Sequence, residues 1–150
     1  MSMDKLWDAA AGAGDVGIAE MSTDACIEAL EAASLGRIAL AVADEADIFP
    51  VNYVFSEGAI YLRTAPGSKL LGLTVNPHVA FEIDGFDEKV AFSVIAKGTA
   101  ERLELQSEIE AADKLHLVPW APTLKYRWVR ILPSTISGRV FRRGPEPERY

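Results

Sequence analysis

Apolar and polar residues alternate with a period of two along much of this chain, which is the pattern of half-buried β-strands. Ile38, Leu40 and Val42 share one face of a first predicted strand. The sequence then predicts a turn at residues 44–47 and a second alternating strand at residues 49–55. This part of the chain therefore indicates a β-sheet with one face turned to the core.

The same alternation continues to the C-terminal end of the chain. Residues 56–58 read Ser-Glu-Gly and predict a hairpin turn, and a polar loop at residues 85–89 separates two further runs. Six strands joined by tight turns predict a mainly β fold, a small antiparallel barrel. The predicted strands cover residues 38–42, 49–55, 60–64, 78–84, 90–103 and 126–132, with a final extended piece at 136–142.

Helical patterns flank these strands. Ser22 or Thr23 is placed to cap a helix that runs to about Ser34 and ends at Gly36. Two more helices are predicted at residues 68–74 and 105–117.

A chain of 150 residues predicts a single domain. Residues 1–21 show no stable period and predict a flexible N-terminal arm. Residues 22–143 hold the predicted barrel, and residues 144–150 form a polar tail.

The charge balance limits the kinds of partner that we expect. With 49% apolar and 25% charged residues, the composition is that of a globular protein, and the net charge is −7. An acidic protein is not expected to bind nucleic acid or an anionic membrane. The single cysteine, Cys26, excludes an intramolecular disulfide. Because no segment resembles a signal peptide or a membrane span, we expect a cytoplasmic location.

The loop after the third predicted strand holds the best candidate chemistry. Thr64, Gly67, Ser68 and Lys69 combine hydroxyls, a glycine and a lysine just before a helical pattern. Hydroxyl and amide groups donate hydrogen bonds to a phosphate, lysine supplies charge, and the start of a helix adds its positive dipole end. The alternative is a solvated connection whose lysine faces water.

Other motifs carry less weight. Residues 12–17 match G-x-G-x-x-G, but no hydrophobic strand precedes them, as a dinucleotide site requires. His78 and His116 are the only histidines and have no further ligands at suitable spacing, so no metal site is expected.

Four polar or aromatic residues have two interpretations each. The amide of Asn52 binds either the edge of a planar heterocycle or neighbouring backbone. Ser93 donates to a ring edge or faces water. Arg139 is a surface cation or reaches an anion across a subunit boundary. Trp120, between two prolines, covers a cofactor or packs under its loop.

Taken in order, six short segments resemble the pyridoxamine 5′-phosphate oxidase-like proteins, which are flavin-binding split β-barrels. The resemblance is closest to a short bacterial branch that includes nitroimidazole-resistance proteins, and it runs from about Thr23 to Arg142. The segments are GRIA, PVNY, YLRTAPGSKL, NPHVAFEID, FSVIAKGTAE and RILPSTISGR.

The resemblance implies a homodimer that holds FMN at its subunit interface. Thr64, Ser68 and Lys69 match the family's phosphate loop, and Gly98 falls where a strand bends. The other positions that the resemblance assigns to the cofactor are Arg37, Pro50, Val51, Asn52, Tyr53, Ser93 and Arg139, and Trp120 joins them as the candidate cover.

Two positions depart from the family pattern, since Arg63 replaces an expected histidine and Phe92 a frequent tryptophan. The residues typical of true pyridoxamine 5′-phosphate oxidases are not visible. We therefore expect an FMN-dependent oxidoreductase that acts on a small organic molecule. The alternatives are a deazaflavin-dependent reductase and a non-catalytic flavin- or haem-binding stress protein.

Overall fold

The structure is a computed structural model that describes residues 3, 5–6, 17–65, 72–73, 75–120 and 127–148. Within these ranges the chain forms eight strands and two helices of eight residues or more. The strands are β1 (Ile18–Glu20), β2 (Leu35–Val42), β3 (Glu45–Asn52), β4 (Val54–Ser56), β5 (Ala59–Thr64), β6 (His78–Phe86), β7 (Val90–Arg102) and β8 (Arg127–Arg142). The helices are α1 (Thr23–Ala32) and α2 (Gln106–Asp113).

All the paired strands are antiparallel, in the order β3-β2-β6-β7-β8-β5-β4, and β1 also pairs with β8. The sheet curls into a split barrel, which confirms the predicted fold class. The strand count is eight rather than the predicted six. None of the helices within the described ranges is long and apolar enough to cross a membrane.

The inward face of the sheet carries the main core. Ile38, Phe81, Val94 and Ile131 are fully buried there, and α1 closes the core with Leu30 and neighbouring residues. Ser22 begins α1 as predicted, because its Oγ accepts a hydrogen bond of 3.1 Å from the Ala25 amide. Burial also raises the pKa of the Cys26 thiol, so this thiol behaves as a small apolar core group.

A second, smaller cluster lies under α2. Trp128 packs there with Leu103 and Ala112, and all three are buried. The Trp128 indole donates a hydrogen bond of 2.7 Å to an Asp113 carboxylate oxygen. This contact fixes the C-terminal end of α2 to the first part of β8.

The helix prediction was wrong at its C-terminal end. The helix ends at Ala32, and Gly36 lies inside β2 instead of ending α1. A Cβ atom at Gly36 would lie 2.8 Å from the Glu82 carbonyl oxygen and would collide with the Phe81 ring. The glycine is therefore required by close strand packing and not by a helix end.

Three strand predictions also need correction. The predicted strand at 49–55 is divided at Tyr53, where the chain leaves its pairing with β2 and begins to pair with β5. The predicted turn at 44–47 is shorter, since Ala43 and Asp44 have positive φ and β3 begins at Glu45. Residues 18–20, assigned to the flexible arm, form β1.

The two predicted C-terminal segments are one continuous strand, β8. It contains Pro133, which has no amide hydrogen for a ladder bond. The register between β7 and β8 shifts at Lys97/Gly98, opposite Pro133. The irregularity absorbs the proline, so the strand continues where the sequence indicated a break.

Candidate functional site

Thr64 ends β5 with a buried side chain whose polar atom is not paired. The residue is only 3% exposed, and within the described residues its Oγ1 has no hydrogen-bond partner. A buried hydroxyl without a partner costs free energy, so native proteins rarely retain one without a reason. The structure therefore places an unused donor where the sequence predicts the phosphate loop to begin.

Arg127 lies directly across the ladder from Thr64, as its register partner at the start of β8. Its Nε is also buried and also has no hydrogen-bond partner among the described residues. Two unpartnered donors on adjacent strands, one of them cationic, form a small electropositive site at this end of the barrel.

Arg63, next to Thr64, has a different environment. Its Nη2 donates a hydrogen bond of 2.9 Å to the Leu117 carbonyl, and its guanidinium lies 5.3 Å from the Trp128 ring centroid. These contacts direct Arg63 toward the cluster under α2. It contributes positive charge near the site: its Nη2 is already used, while its Nε is buried and, within the described residues, has no hydrogen-bond partner.

Gly67, Ser68 and Lys69, the other residues of the predicted phosphate loop, lie outside the described residues. So do most of the helix predicted at 68–74 and, apart from Gly17, the glycine motif at 12–17. Their predicted roles stay predictions.

The outward face of the sheet collects four other predicted site residues. Pro50 is the register partner of Arg37, and Ser93 is the register partner of Arg139. Because side chains alternate along a strand, the pairings place all four on the face opposite the core. We call this surface the outward face; its apolar members are Ala39, Ala80, Ile48, Ile95 and Leu132.

Arg37 is already paired on this face. Its Nη2 lies 2.6 Å from an oxygen of Glu82 and 2.7 Å from an oxygen of Asp84. The hydrogen bond to Glu82 is the main cause that raises the pKa of Arg37, with charge attraction from both carboxylates adding to it. Because two carboxylates already bind the Arg37 guanidinium, few of its N–H groups remain for another anion. The geometry therefore does not support Arg37 as a phosphate ligand.

Ser93 and Arg139 line one cavity of about 580 Å³ on the outward face. Ile95, Ile136 and the β1 residue Glu20 line it as well. The side chain of Arg139 is exposed at this surface. The structure thus brings together the two residues for which the sequence predicted contacts to a ring and to an anion.

Asn52 holds the loop that carries Trp120. Its Nδ2 donates a hydrogen bond of 3.2 Å to the Ser34 carbonyl, and its Oδ1 accepts one of 2.8 Å from the Trp120 amide. Of the two interpretations of Asn52, these contacts favour bonding to protein backbone. Trp120 is 68% exposed, and residues 121–126 of its loop lie outside the described residues.

The flanking residues of Asn52 turn toward the core. Val51 packs against the main core, and Tyr53 is 2% exposed. The Tyr53 hydroxyl donates a hydrogen bond of 2.7 Å to the Leu30 carbonyl. Desolvation by burial raises the pKa of Tyr53 well above its ordinary value. The predicted strip 50–53 thus divides between the two faces of the sheet.

A second cavity of about 640 Å³ is an apolar groove on the outward face. Alanines and Leu132 form much of its wall, and His78 and Lys97 are its basic residues. The described residues of one chain therefore offer donors at Thr64 and Arg127 and, on the opposite face, one polar cavity and one apolar groove.

Arg127 is the residue that sequence reasoning missed. A lone arginine between a tyrosine and a tryptophan gives no local signal. Only the strand register, which sets Arg127 across from Thr64, identifies it as part of the same site.

Comparison with known proteins places these features in context. The family model for pyridoxamine 5′-phosphate oxidase matches residues 22–140. A Corynebacterium glutamicum protein, provisionally assigned as a pyridoxamine 5′-phosphate oxidase, is 44% identical with a TM-score of 0.81; the match covers 89% of this chain and 99% of that one.

FAD-binding proteins are among the similar structures. The one from Mycobacterium smegmatis is 35% identical with a TM-score of 0.73 and matches 82% of this chain and 98% of its own. The one from Mesorhizobium loti is 26% identical with a TM-score of 0.74, and the match covers 82% of this chain and 97% of that one.

Proposed function

This chain belongs to the pyridoxamine 5′-phosphate oxidase family, and we propose that it is a homodimeric flavin-binding oxidoreductase. The proposed cofactor is FMN, and the proposed reaction is a flavin-mediated oxidation or reduction of a small organic molecule. The proposal combines the family membership with the chemistry of the described residues.

The observation that carries the proposal is the unpartnered, buried hydroxyl of Thr64. It lies at the start of the loop that the sequence predicts to bind a phosphate, and a basic residue faces it across the ladder. Every flavin nucleotide carries a phosphate that accepts such donors. The residues present therefore fit the group that family membership implies.

A second copy of the chain is part of the proposal. The outward face displays Ile48 at 64% exposure and Ile95 at 39%, and Ile95 lines the cavity together with Ser93 and Arg139. A monomer gains nothing from exposing these apolar side chains to water, whereas a twofold partner would bury them. In the dimer, Ser93 and Arg139 would face a ligand held between the subunits.

When bound, the flavin would supply the electron transfer, which explains why no acid–base pair or nucleophile is needed from the protein. Thr64 would bind and orient the phosphate. Asn52, by fixing the Trp120 loop, would set the position of an aromatic side chain that shields a bound ring from water. Ser93 would hydrogen-bond a polar ring edge.

FAD is the second candidate cofactor. The observation that favours it is the similarity to the Mycobacterium smegmatis FAD-binding protein at 35% identity. FAD contains the same ring and a phosphate at the same distance from it. A donor site at Thr64 therefore suits either nucleotide, and the groups that would contact the adenosine part decide between them.

The identity of the bound cofactor tests the proposal directly. The protein is purified and then denatured. The small molecule that it releases is separated, and its mass is measured by mass spectrometry. FMN or FAD at one molecule per chain is the expected result. A deazaflavin or haem would replace the cofactor assignment, and a colourless protein that binds none of them on titration would overturn it.

Activity is tested separately on the loaded protein. Reduced nicotinamide cofactor is supplied with a quinone or a nitroaromatic acceptor, and consumption of each is followed. Flavin-dependent turnover supports an oxidoreductase. Flavin binding without turnover of any acceptor favours the non-catalytic module and contradicts the enzymatic part of the proposal.

A further inference from the structure

Arg127 and Arg63 each have a buried Nε without a hydrogen-bond partner within the described residues, and the contacts of the guanidinium groups tell the arginines apart. Arg37 and Arg130 each contact two carboxylates, and the Arg63 Nη2 is bonded to a backbone carbonyl. The Arg127 Nε is buried and has no hydrogen-bond partner within the described residues; the Arg63 Nε shares this property, but the Arg63 guanidinium is already held by Leu117 and lies over Trp128. Burying part of a cation without an acceptor is costly, so an acceptor is expected at this position.

Thr64 indicates where that acceptor lies. Its side chain is on the same face of the ladder as Arg127, because the two residues are direct register partners. Side chains of such a pair lie within about 5.5 Å at their Cβ atoms, close enough to reach one small anion. Neither the Thr64 hydroxyl nor the Arg127 Nε has another use in the described structure.

We propose that Arg127 binds the phosphate of the flavin nucleotide, with the Thr64 hydroxyl as the second donor across the ladder. This inference rests on the proposed function and adds a ligand residue that the sequence did not indicate. The edge of a guanidinium presents two parallel N–H groups, which match two oxygens of a phosphate.

The charge of the protein gives Arg127 further importance. The chain carries a net charge of −7, so its general field repels an anionic nucleotide. A half-buried guanidinium acts at short range and is screened by salt less than an exposed charge. The β5–β8 end of the barrel therefore offers this acidic chain a local site for a dianion.

The test compares FMN and FAD with riboflavin, which has the same ring but no phosphate. Apo protein is titrated with each ligand in wild type, Arg127→Gln and Thr64→Val. Arg102→Gln, which removes an exposed arginine from the neighbouring strand β7, is the matched control. For Arg127→Gln we expect a loss of nucleotide affinity of roughly 10- to 100-fold with riboflavin nearly unchanged. The control should bind all three ligands as wild type does.

Thr64→Val has a second signature that a merely structural residue would not show. Nucleotide affinity should fall by about 2- to 10-fold, while the melting temperature of the apo protein rises by about 2–4 °C, because an unsatisfied buried hydroxyl is removed. The Thr64→Val measurement still tests the proposal if the Arg127 variant does not fold.

The outcomes separate the two proposals. If wild type binds flavin and Arg127→Gln loses FMN and riboflavin equally, or loses neither, Arg127 is not a phosphate ligand and the proposed function stands. If wild type binds no flavin, the anion site is tested with inorganic phosphate. The melting temperature is measured with and without phosphate at fixed ionic strength, and a rise indicates binding. Protection that is lost in Arg127→Gln supports the anion site, and protection that is absent or unchanged overturns it.

Discussion

Tyr53 shows how one hydroxyl group connects a helix to the barrel. Its ring meets that of Phe81 edge to face at 4.8 Å between centroids, and its hydroxyl bonds the Leu30 carbonyl near the end of α1. We expect Tyr53→Phe to keep the ring packing but to lower the free energy of unfolding by about 1–2 kcal/mol, since the carbonyl loses its donor. Urea denaturation followed by far-UV circular dichroism measures the change.

The pH dependence of the same variant provides an independent check. The pKa of Tyr53 is raised in the folded protein, so the unfolded chain releases this proton first, near pH 10. The stability that Tyr53 contributes is therefore complete below about pH 10 and is lost as the pH rises further. The difference between wild type and Tyr53→Phe should shrink from pH 9 to pH 11. A difference that stays constant would contradict this account.

At the scale of single residues, the sequence indicates which positions are unusual but not which groups each side chain contacts. The pattern indicated Thr64 as a candidate position, because a hydroxyl at a strand end before a glycine loop is a local feature, and its role as a phosphate ligand stays a prediction. The family resemblance assigned Asn52 and Tyr53 alike to the cofactor, although the two side chains point to opposite faces and bind different backbone groups. The hydrogen-bond partner of a side chain depends on which distant segments the fold brings close to it. The spacing of residues along the chain does not reveal those segments.

Among the elements, the β7–β8 ladder depends on Gly98. A Cβ atom at this position would collide with the Leu132 carbonyl and lie 2.8 Å from the Pro133 Cα. We expect Gly98→Ala to force the two strands apart at the register shift and to cost about 2–3 kcal/mol of stability. Gly144→Ala, where a Cβ meets nothing within 4 Å, is the matched control and should change stability little. Equal melting curves for Gly98→Ala and wild type would refute the close approach.

Element boundaries were predicted where the signal is local. The Ser22 cap and the hairpin at Glu57 and Gly58, both with positive φ, were confirmed. The sequence failed at Pro133, where a register shift on the neighbouring strand allows a proline inside β8. Pro50 is tolerated for another reason, because β3 is at the edge of the sheet. Both explanations depend on pairing between distant segments, which a single strand pattern cannot reveal.

For the molecule as a whole, family membership and the split-barrel fold were predicted and are confirmed. The alternation of apolar and polar residues predicted an antiparallel barrel, and six motifs in order, each weak alone, indicated the split-barrel family. The arrangement of the site could not be predicted in the same way, because the curled sheet puts Thr64 on its inward face and Arg139 on its outward face. Within one chain these residues do not share a surface, which gives a physical reason to expect a second copy.

The proposed dimer is tested on the outward face. Ile95 is 39% exposed, faces outward between Glu82 and Ser137, and lines the cavity with Ser93 and Arg139. A stable interface buries about 800 Å² per partner with few charges at its centre, so a buried glutamate there is strongly unfavourable. Wild type should sediment as a dimer at micromolar concentration, and Ile95→Glu as a folded monomer, because in one chain the new side chain meets water.

The matched control is Leu105→Glu, which places the same charge on a 63% exposed residue at the start of α2. It should remain dimeric and bind flavin like wild type, since a carboxylate at a helix start is favourable. Each copy carries −7, so added salt should tighten the wild-type dimer by screening repulsion. If Ile95→Glu is monomeric and also loses flavin, both subunits build the site. A wild-type monomer, or a dimeric Ile95→Glu, would show that the outward face is not the interface.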